Sequence, residues 1–212
     1  MATPIAPALP ALPPLPPAGP GITVAGHHNL GAVCLAAFNT IHASHAYFDR
    51  IRKIVGGGWE GWLQVELAAL IPINAQLPQA AGQQVDALRE QPIYKGAEMV
   101  DLWVEDKRLG TNAGIELKCK QLDMDEDSFI TEFTRDFGDK VHDGPSGGPK
   151  PNLRGGKTIL WGIGFLDNPN TAKRIIGQLA GMHQEYVALG YCQAGPPGTP
   201  PMYMVWYCQW YA

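Results

Sequence analysis

The chain has 212 residues, is 45% hydrophobic, and carries a formal net charge of −4 with a pI near 5.8. That length and apolar content suit one domain with a substantial core, and the negative balance counts against a surface that grips polyanions over its whole extent. No apolar run reaches the ~18 residues of a membrane-spanning helix, and the start lacks the basic and unbroken apolar regions of a secretory signal.

Residues 1–25 stand apart in composition. Pro4, Pro7, Pro10, Pro13, Pro14, Pro16, Pro17 and Pro20 are interleaved with Ala and Leu. Proline removes amide donors and fixes φ, so an extended polyproline-II-like arm is expected, acting as a tether or as a recognition segment for a partner. Residues 26–212 read as a single α/β domain that opens with a helical element over 26–56. In that element Leu30, Val33, Cys34, Ala37, Phe38, Ile41, Tyr47, Phe48, Ile51 and Ile54 recur at helical spacing, with a possible break, and Gly56-Gly57-Gly58 ends the run. His42 and His45 are spaced to share a ligand, but no third ligand stands at a helpful spacing, so a polar helix face is expected there.

A second helix is expected from Trp59 to Leu70, stopped before Pro72. Its apolar stripe is Trp59, Trp62, Leu63, Leu67 and Leu70, and Glu66 falls inside it. A carboxylate buried in such a stripe costs several kcal/mol unless paired or bound to a metal. Glu66 is therefore a candidate site acid, the alternative being a salt bridge or an edge that reaches water. Glu60 and Gln64 lie on another face, and Glu60 is the runner-up acid. Residues 83–90 read as a short helix, and Ile93-Tyr94 begins a strand.

The next two strands carry the most informative pattern. One reads Glu98-Met99-Val100-Asp101-Leu102-Trp103-Val104, the other Ala113-Gly114-Ile115-Glu116-Leu117-Lys118-Cys119-Lys120. The polar stretch between them, with Gly110 and Asn112, favours a hairpin. Glu116 and Lys118 share one face of their strand while Ile115, Leu117 and Cys119 share the other. A hairpin would bring Asp101 within reach of Glu116, and two carboxylates beside a lysine suit a divalent metal and an activated water.

Beyond Gln121, Asp123 to Asp127 read as an acidic helix cap rather than a second metal site. The helix that follows places Phe129, Phe133 and Phe137 on one stripe, with Glu132 and Asp136 expected in solvent. The loop from His142 to Lys157 combines glycines with Lys150, Arg154 and Lys157, a mixture able to cradle phosphates, although the P-loop pattern does not fit. Thr158 to Leu166 is nearly all apolar, as a central strand covered on both faces would be. A helix capped by Asn170 or Thr171 should run through Leu189 to Gly190, and an aromatic strand, Met202 to Trp210, closes the domain. The four cysteines, Cys34, Cys119, Cys192 and Cys208, form no C-x-x-C pair and are expected as packed thiols.

Asp101 followed by Glu116-x-Lys118 resembles the PD-(D/E)xK nuclease superfamily, whose fold is restriction-endonuclease-like. The family's proline–aspartate pair corresponds to Val100-Asp101, and the resemblance is strongest from Trp59 to Gln121. It implies an α/β fold with a mixed central sheet flanked by helices around an αβββαβ core. It also implies hydrolysis of phosphodiester bonds, in DNA, with Mg²⁺ or Mn²⁺. On that basis Asp101, Glu116 and the carbonyl of Leu117 would ligate the ion, and Glu66 would complete its shell. Lys118 would orient or deprotonate the attacking water, and Gln121 would orient water or substrate. Lys120, Lys150, Arg154 and Lys157 are the candidate substrate-binding cations. A proline-rich arm ahead of a small nuclease domain is similar to bacterial toxin effectors, which stay in the producer's cytoplasm until exported without a cleavable signal. That similarity implies a cognate immunity protein and a secretion-apparatus partner for the arm. A restriction or repair nuclease and a non-catalytic binding protein on the same fold are the alternatives.

Overall fold

The apolar periodicity of the first helical element produces two helices in the computed structural model, which describes residues 28–55, 58–74, 85–93, 99–107, 111–141, 158–182, 188–195 and 197–211. Helix α1 spans His28–His42 and α2 spans His45–Ile54, so the break falls at Ala43 and Ser44. Helix α3, Glu60–Asn74, continues past the expected stop and holds Pro72 inside its last turn. A proline there forfeits one hydrogen bond, to the carbonyl four residues back, so the helix tolerates it near its end. The arm, residues 1–25, and the loop from His142 to Lys157 lie outside the described residues.

The sheet is six-stranded and mixed, in the order β1-β2-β3-β4-β6-β5. Strand β1 is Val85–Pro92, β2 Met99–Asp106, β3 Thr111–Cys119, β4 Thr158–Leu166, β5 Ala188–Ala194 and β6 Met202–Tyr211. β1, β2 and β3 form an antiparallel meander, and helix α4, Glu126–Val141, then crosses over to β4, which runs parallel to β3. Helix α5, Pro169–Met182, leads to β5, and β6 pairs antiparallel with both β4 and β5.

The hairpin and the buried strand stand as expected; all nine residues of β4 are buried. Two element assignments fail. Of the segment 83–90, read as a helix, residues 85–90 contribute most of β1, which ends before Ile93. The helix expected to reach Leu189 stops at Met182, and Leu189 and Gly190 belong to β5. Both errors fall on edge strands, where weak alternation and good helix formers mimic a helix until a neighbouring strand supplies the hydrogen bonds.

Helices cover both faces of the sheet. On one, α1 and α3 pack against Leu102, Ile115, Leu117, Cys119, Ile163 and Phe165. On the other, Phe129, Ile130 and Phe133 of α4 and Ile175 and Leu179 of α5 pack against Leu160, Val205 and Tyr207. Gly162 belongs to this second face because Tyr207 occupies its side-chain space; a Cβ there would lie 2.4 Å from the ring. The acidic cap is realised by Asp125, whose carboxylate accepts the Ser128 amide at 2.8 Å and its hydroxyl at 2.6 Å. Those bonds, the hydroxyl first, hold the Asp125 carboxyl below its usual range. Helix α5 is capped by Asn168 rather than by Asn170 or Thr171, its Oδ1 accepting the Asn170 amide at 2.9 Å. Among the described residues no helix is long and apolar enough to cross a membrane.

Candidate functional site

Strand β2 is kinked where it carries its acid. The β1–β2 ladder steps from Arg89↔Leu102 to Gln91↔Val100 and passes over Glu90 and Asp101. Glu90 has a φ of 49°, in the left-handed region that non-glycine residues seldom occupy. Val100 and Trp103 share one small cluster, while Leu102 and Val104 face α3. Strict alternation would put Val100 with Leu102, so the strand turns over at Asp101.

The β2–β3 ladder ends at Leu102↔Ile115. Beyond it β2 leaves the edge of β3, and carboxylates take over the freed amides. Asp101 Oδ2 accepts the Leu117 N–H at 2.6 Å, and Glu60 Oε2 accepts the Cys119 N–H at 3.0 Å. Residues 117 and 119 direct their amides to the same side of the strand, and the Lys120 amide turns the other way, to Phe165 of β4 at 2.9 Å. Two side chains thus finish what β2 leaves undone, with charge-assisted hydrogen bonds in place of the ladder.

Asp101 is held from its other oxygen as well. Gln64 Nε2 donates to Oδ1 at 2.9 Å, and Gln64 Oε1 accepts from Arg89 Nη2 at 3.1 Å. The ends of this relay dictate its direction, because a guanidinium and a backbone amide only donate. The thiol of Cys119 lies within the same field. Its pKa is pushed well up, first by burial and then by the charges of Glu60 and Asp101, against the opposing pull of Arg52 and Lys118.

The remaining candidates divide between the two faces. Glu116, 5% exposed, stands opposite Gly162 and faces the α4 side with Lys118. Lys118 Nζ is 2.9 Å from Glu132 Oε2, so Glu132 is an ion-pair partner and not the solvated residue expected from its helix. Leu117 faces α1 and α3. Gln121 packs against Gly58, where a Cβ would come within 2.7 Å of its Nε2 and where φ is 99°. Lys120 is buried; its carbonyl accepts Trp59 Nε1 at 3.1 Å and its Nζ lies 3.5 Å from Asp167. Lys150, Arg154 and Lys157 lie outside the described residues.

The α3 acid that reaches the strands is Glu60, where the apolar stripe had pointed to Glu66. At 3.6 residues per turn, Glu66 sits about 120° around the helix from Glu60. It is half-buried, whereas Gln64, Leu67 and Ile71 line up with Glu60 and are buried. The helix is apolar on several faces because α1 and α2 cover it too; Trp62 meets Tyr47 and Phe48 of α2. Its stripe therefore marks more than the sheet side. The signal that could have found the right face was Gln64, a polar side chain between Leu63 and Leu67 and one turn from Glu60.

The histidines also fall out differently. His42 is 1% exposed, stacked on Phe38 with ring centroids 5.6 Å apart and edge-on to Phe48 at 4.9 Å. Burial first, then the neighbouring His45, lowers its pKa. It is a core histidine, and only His45 lies on a partly exposed face.

No protein-family model, no curated protein and no solved structure matches this chain. What the site can do rests on its chemistry. Asp101, Glu60, Glu116 and the Leu117 carbonyl are hard oxygen donors of the kind Mg²⁺ or Mn²⁺ prefers, with Glu60 coming from α3 and Glu116 facing the α4 side. A hydrogen-bonded carboxylate keeps lone pairs for a metal, and ligating carboxylates are commonly held this way. Among the described residues, no three His, Cys, Asp or Glu side chains stand together as a finished metal-holding group.

Proposed function

We propose that the chain is a metal-dependent nuclease that hydrolyses phosphodiester bonds of DNA, built on a restriction-endonuclease-like core. The observation that carries this reading is the Asp101 carboxylate bound to the amide of Leu117, inside the Glu116-Leu117-Lys118 tripeptide. The run α3-β1-β2-β3-α4-β4, with an antiparallel meander followed by a parallel crossover, has the αβββαβ order of the resembled family and supports the same reading.

A bound Mg²⁺ or Mn²⁺ would be held by Asp101, Glu116 and the Leu117 carbonyl, with Glu60 as the helical acid, and would supply Lewis acidity and a more acidic water. The chain's own groups do the rest. Gln64 and the Leu117 amide fix the orientation of the Asp101 carboxylate. Lys118, held by Glu132, offers an ammonium to the charge that grows on a phosphoryl group and an N–H to the oxygen of an attacking water. Gln121, on the exit from β3, offers an amide to water or substrate. In this reading the protein is an exported effector with an immunity partner, its proline-rich arm serving the export apparatus.

A specific observation favours a second reading, a non-catalytic binding protein on the same core: both Asp101 oxygens accept hydrogen bonds, and Lys118 is paired with Glu132. Purified protein incubated with supercoiled plasmid and Mg²⁺ separates the two. Nicking that stops with chelator and is lost in Glu116→Ala and Lys118→Ala supports the nuclease. Intact plasmid in every lane, with all chains folded by circular dichroism, favours the binding protein.

A further inference from the structure

At the C-terminal ends of the parallel strands β3 and β4, two cations share one acid. Arg52 Nη2 lies 3.3 Å from Asp167 Oδ2, and Lys120 Nζ lies 3.5 Å from Asp167 Oδ1. The side chains of Arg52 and Lys120 are 8% and 11% exposed, whereas that of Asp167 is 38% exposed. Arg52 is clamped in place, its guanidinium 5.8 Å from the Phe48 ring and 5.5 Å from the Trp59 ring, with Nη1 on Met202 Sδ at 3.6 Å. Its Nε is buried and has no hydrogen-bond partner among the described residues.

Two nearly buried positive charges share this one carboxylate where water is scarce, and such charges are costly unless an anion pairs with them. The carboxylate spans the two cations as a single bidentate oxyanion would, and it is the member of the trio that faces solvent. A guanidinium and an ammonium are donors well suited to phosphate oxygens. Asp167 also lies just ahead of α5, whose first turn adds the partial positive charge of a helix start.

We infer that Arg52 and Lys120 form a phosphate seat that the Asp167 carboxylate fills in the free protein and yields to a phosphate group. The seat adjoins the acids of the candidate site, because Lys120 follows Cys119, whose amide donates to Glu60 Oε2 at 3.0 Å. The inference deepens the nuclease reading by naming where a second phosphate of a nucleic-acid strand rests, one step from the strand exit. A structural ion-pair trio would have the same three residues but no reason to exchange its acid.

The decisive measurement is thermal unfolding in inorganic phosphate against chloride at equal ionic strength, without divalent metal, so it can fail while cleavage succeeds and the reverse. Asp167→Asn removes the competing charge and keeps the shape. Its phosphate affinity should rise about tenfold over the wild type, the size of effect one nearby charge has on a proton equilibrium. Adding Lys120→Gln to Asp167→Asn should abolish the phosphate-specific shift. A phosphate shift no larger in Asp167→Asn than in the wild type overturns the proposal. So does an Asp167→Asn chain that is unfolded in chloride and stays unfolded in phosphate, because Asp167 is then a structural partner. An unfolded chain that phosphate refolds supports it.

Discussion

Asp101→Asn should destabilise the metal-free protein, although removing a carboxylate from an acidic site is ordinarily expected to relieve repulsion. The Leu117 amide and Gln64 Nε2 both donate to Asp101, at 2.6 and 2.9 Å, and Gln64 cannot flip because Arg89 donates to its Oε1. Asparagine has one acceptor oxygen and presents an NH₂ to the other donor, so one partly buried N–H is left facing another. Loss of a charge-assisted hydrogen bond costs about 1.5–3 kcal/mol, and an unsatisfied donor about 1–3 kcal/mol. These overlap rather than add, which puts the expected loss at roughly 3 kcal/mol. With a urea slope of about 2 kcal/mol/M, the midpoint should fall by roughly 1.5 M with the slope unchanged. The assay is equilibrium urea unfolding in chelator at pH 7, followed by fluorescence of the buried tryptophans. A midpoint equal to or above the wild type would refute the reasoning, because Asp101 would then be an electrostatic burden and not the acceptor that completes the β3 edge.

Three further outcomes test the same picture. Glu60→Gln keeps an acceptor for the Cys119 amide, so it should cost only about 1 kcal/mol yet strongly reduce metal-dependent cleavage; Glu66→Gln should change stability by less than about 0.5 kcal/mol and leave cleavage intact, and plasmid assays showing the reverse order would restore Glu66. His42 has a pKa lowered from 6.5 by burial, so the folded state binds fewer protons than the unfolded one, and its contribution is full above pH 6.5 and lost as pH falls toward the folded value. His42→Leu should therefore flatten the decline in stability between pH 7 and pH 5, and denaturant titrations with identical slopes in both chains would count against it. Gly162→Ala would drive a Cβ to 2.4 Å from the Tyr207 ring, whereas at Gly61 nothing lies within 4 Å. The first should cost about 1–3 kcal/mol and the second should gain about 0.5–1 kcal/mol, a contrast that melting temperatures reveal directly.

Local physics made part of this protein legible from its residues. The alternation of Ile115, Leu117 and Cys119 against Glu116 and Lys118 follows from the two-residue period of a strand, and the structure keeps it, with Leu117 toward α1 and α3 and Lys118 toward α4. The unbroken apolar run of β4 announced a strand covered on both faces, and Asp125 took the cap that its acidic neighbourhood suggested. Each of these depends on a residue and its near neighbours in sequence.

Only the tertiary structure decided which acids reach the β3 amides. Helix α3 is apolar on several sides because α1, α2 and the sheet all press on it, so its pattern could not say which side the sheet takes, and it is Glu60 that bonds the Cys119 amide. Residues 85–90 became an edge strand because β2 offers them hydrogen bonds from residues 99–106, a gain that nothing within the segment encodes. The departure of β2 from β3 at Asp101, which leaves two amides for carboxylates to fill, depends on a kink in one strand and the end of a ladder with another. Strand parity is a property of the chain itself, whereas pairing partners and helix azimuth arise from contacts between segments far apart in sequence, and those contacts exist only once the chain has packed.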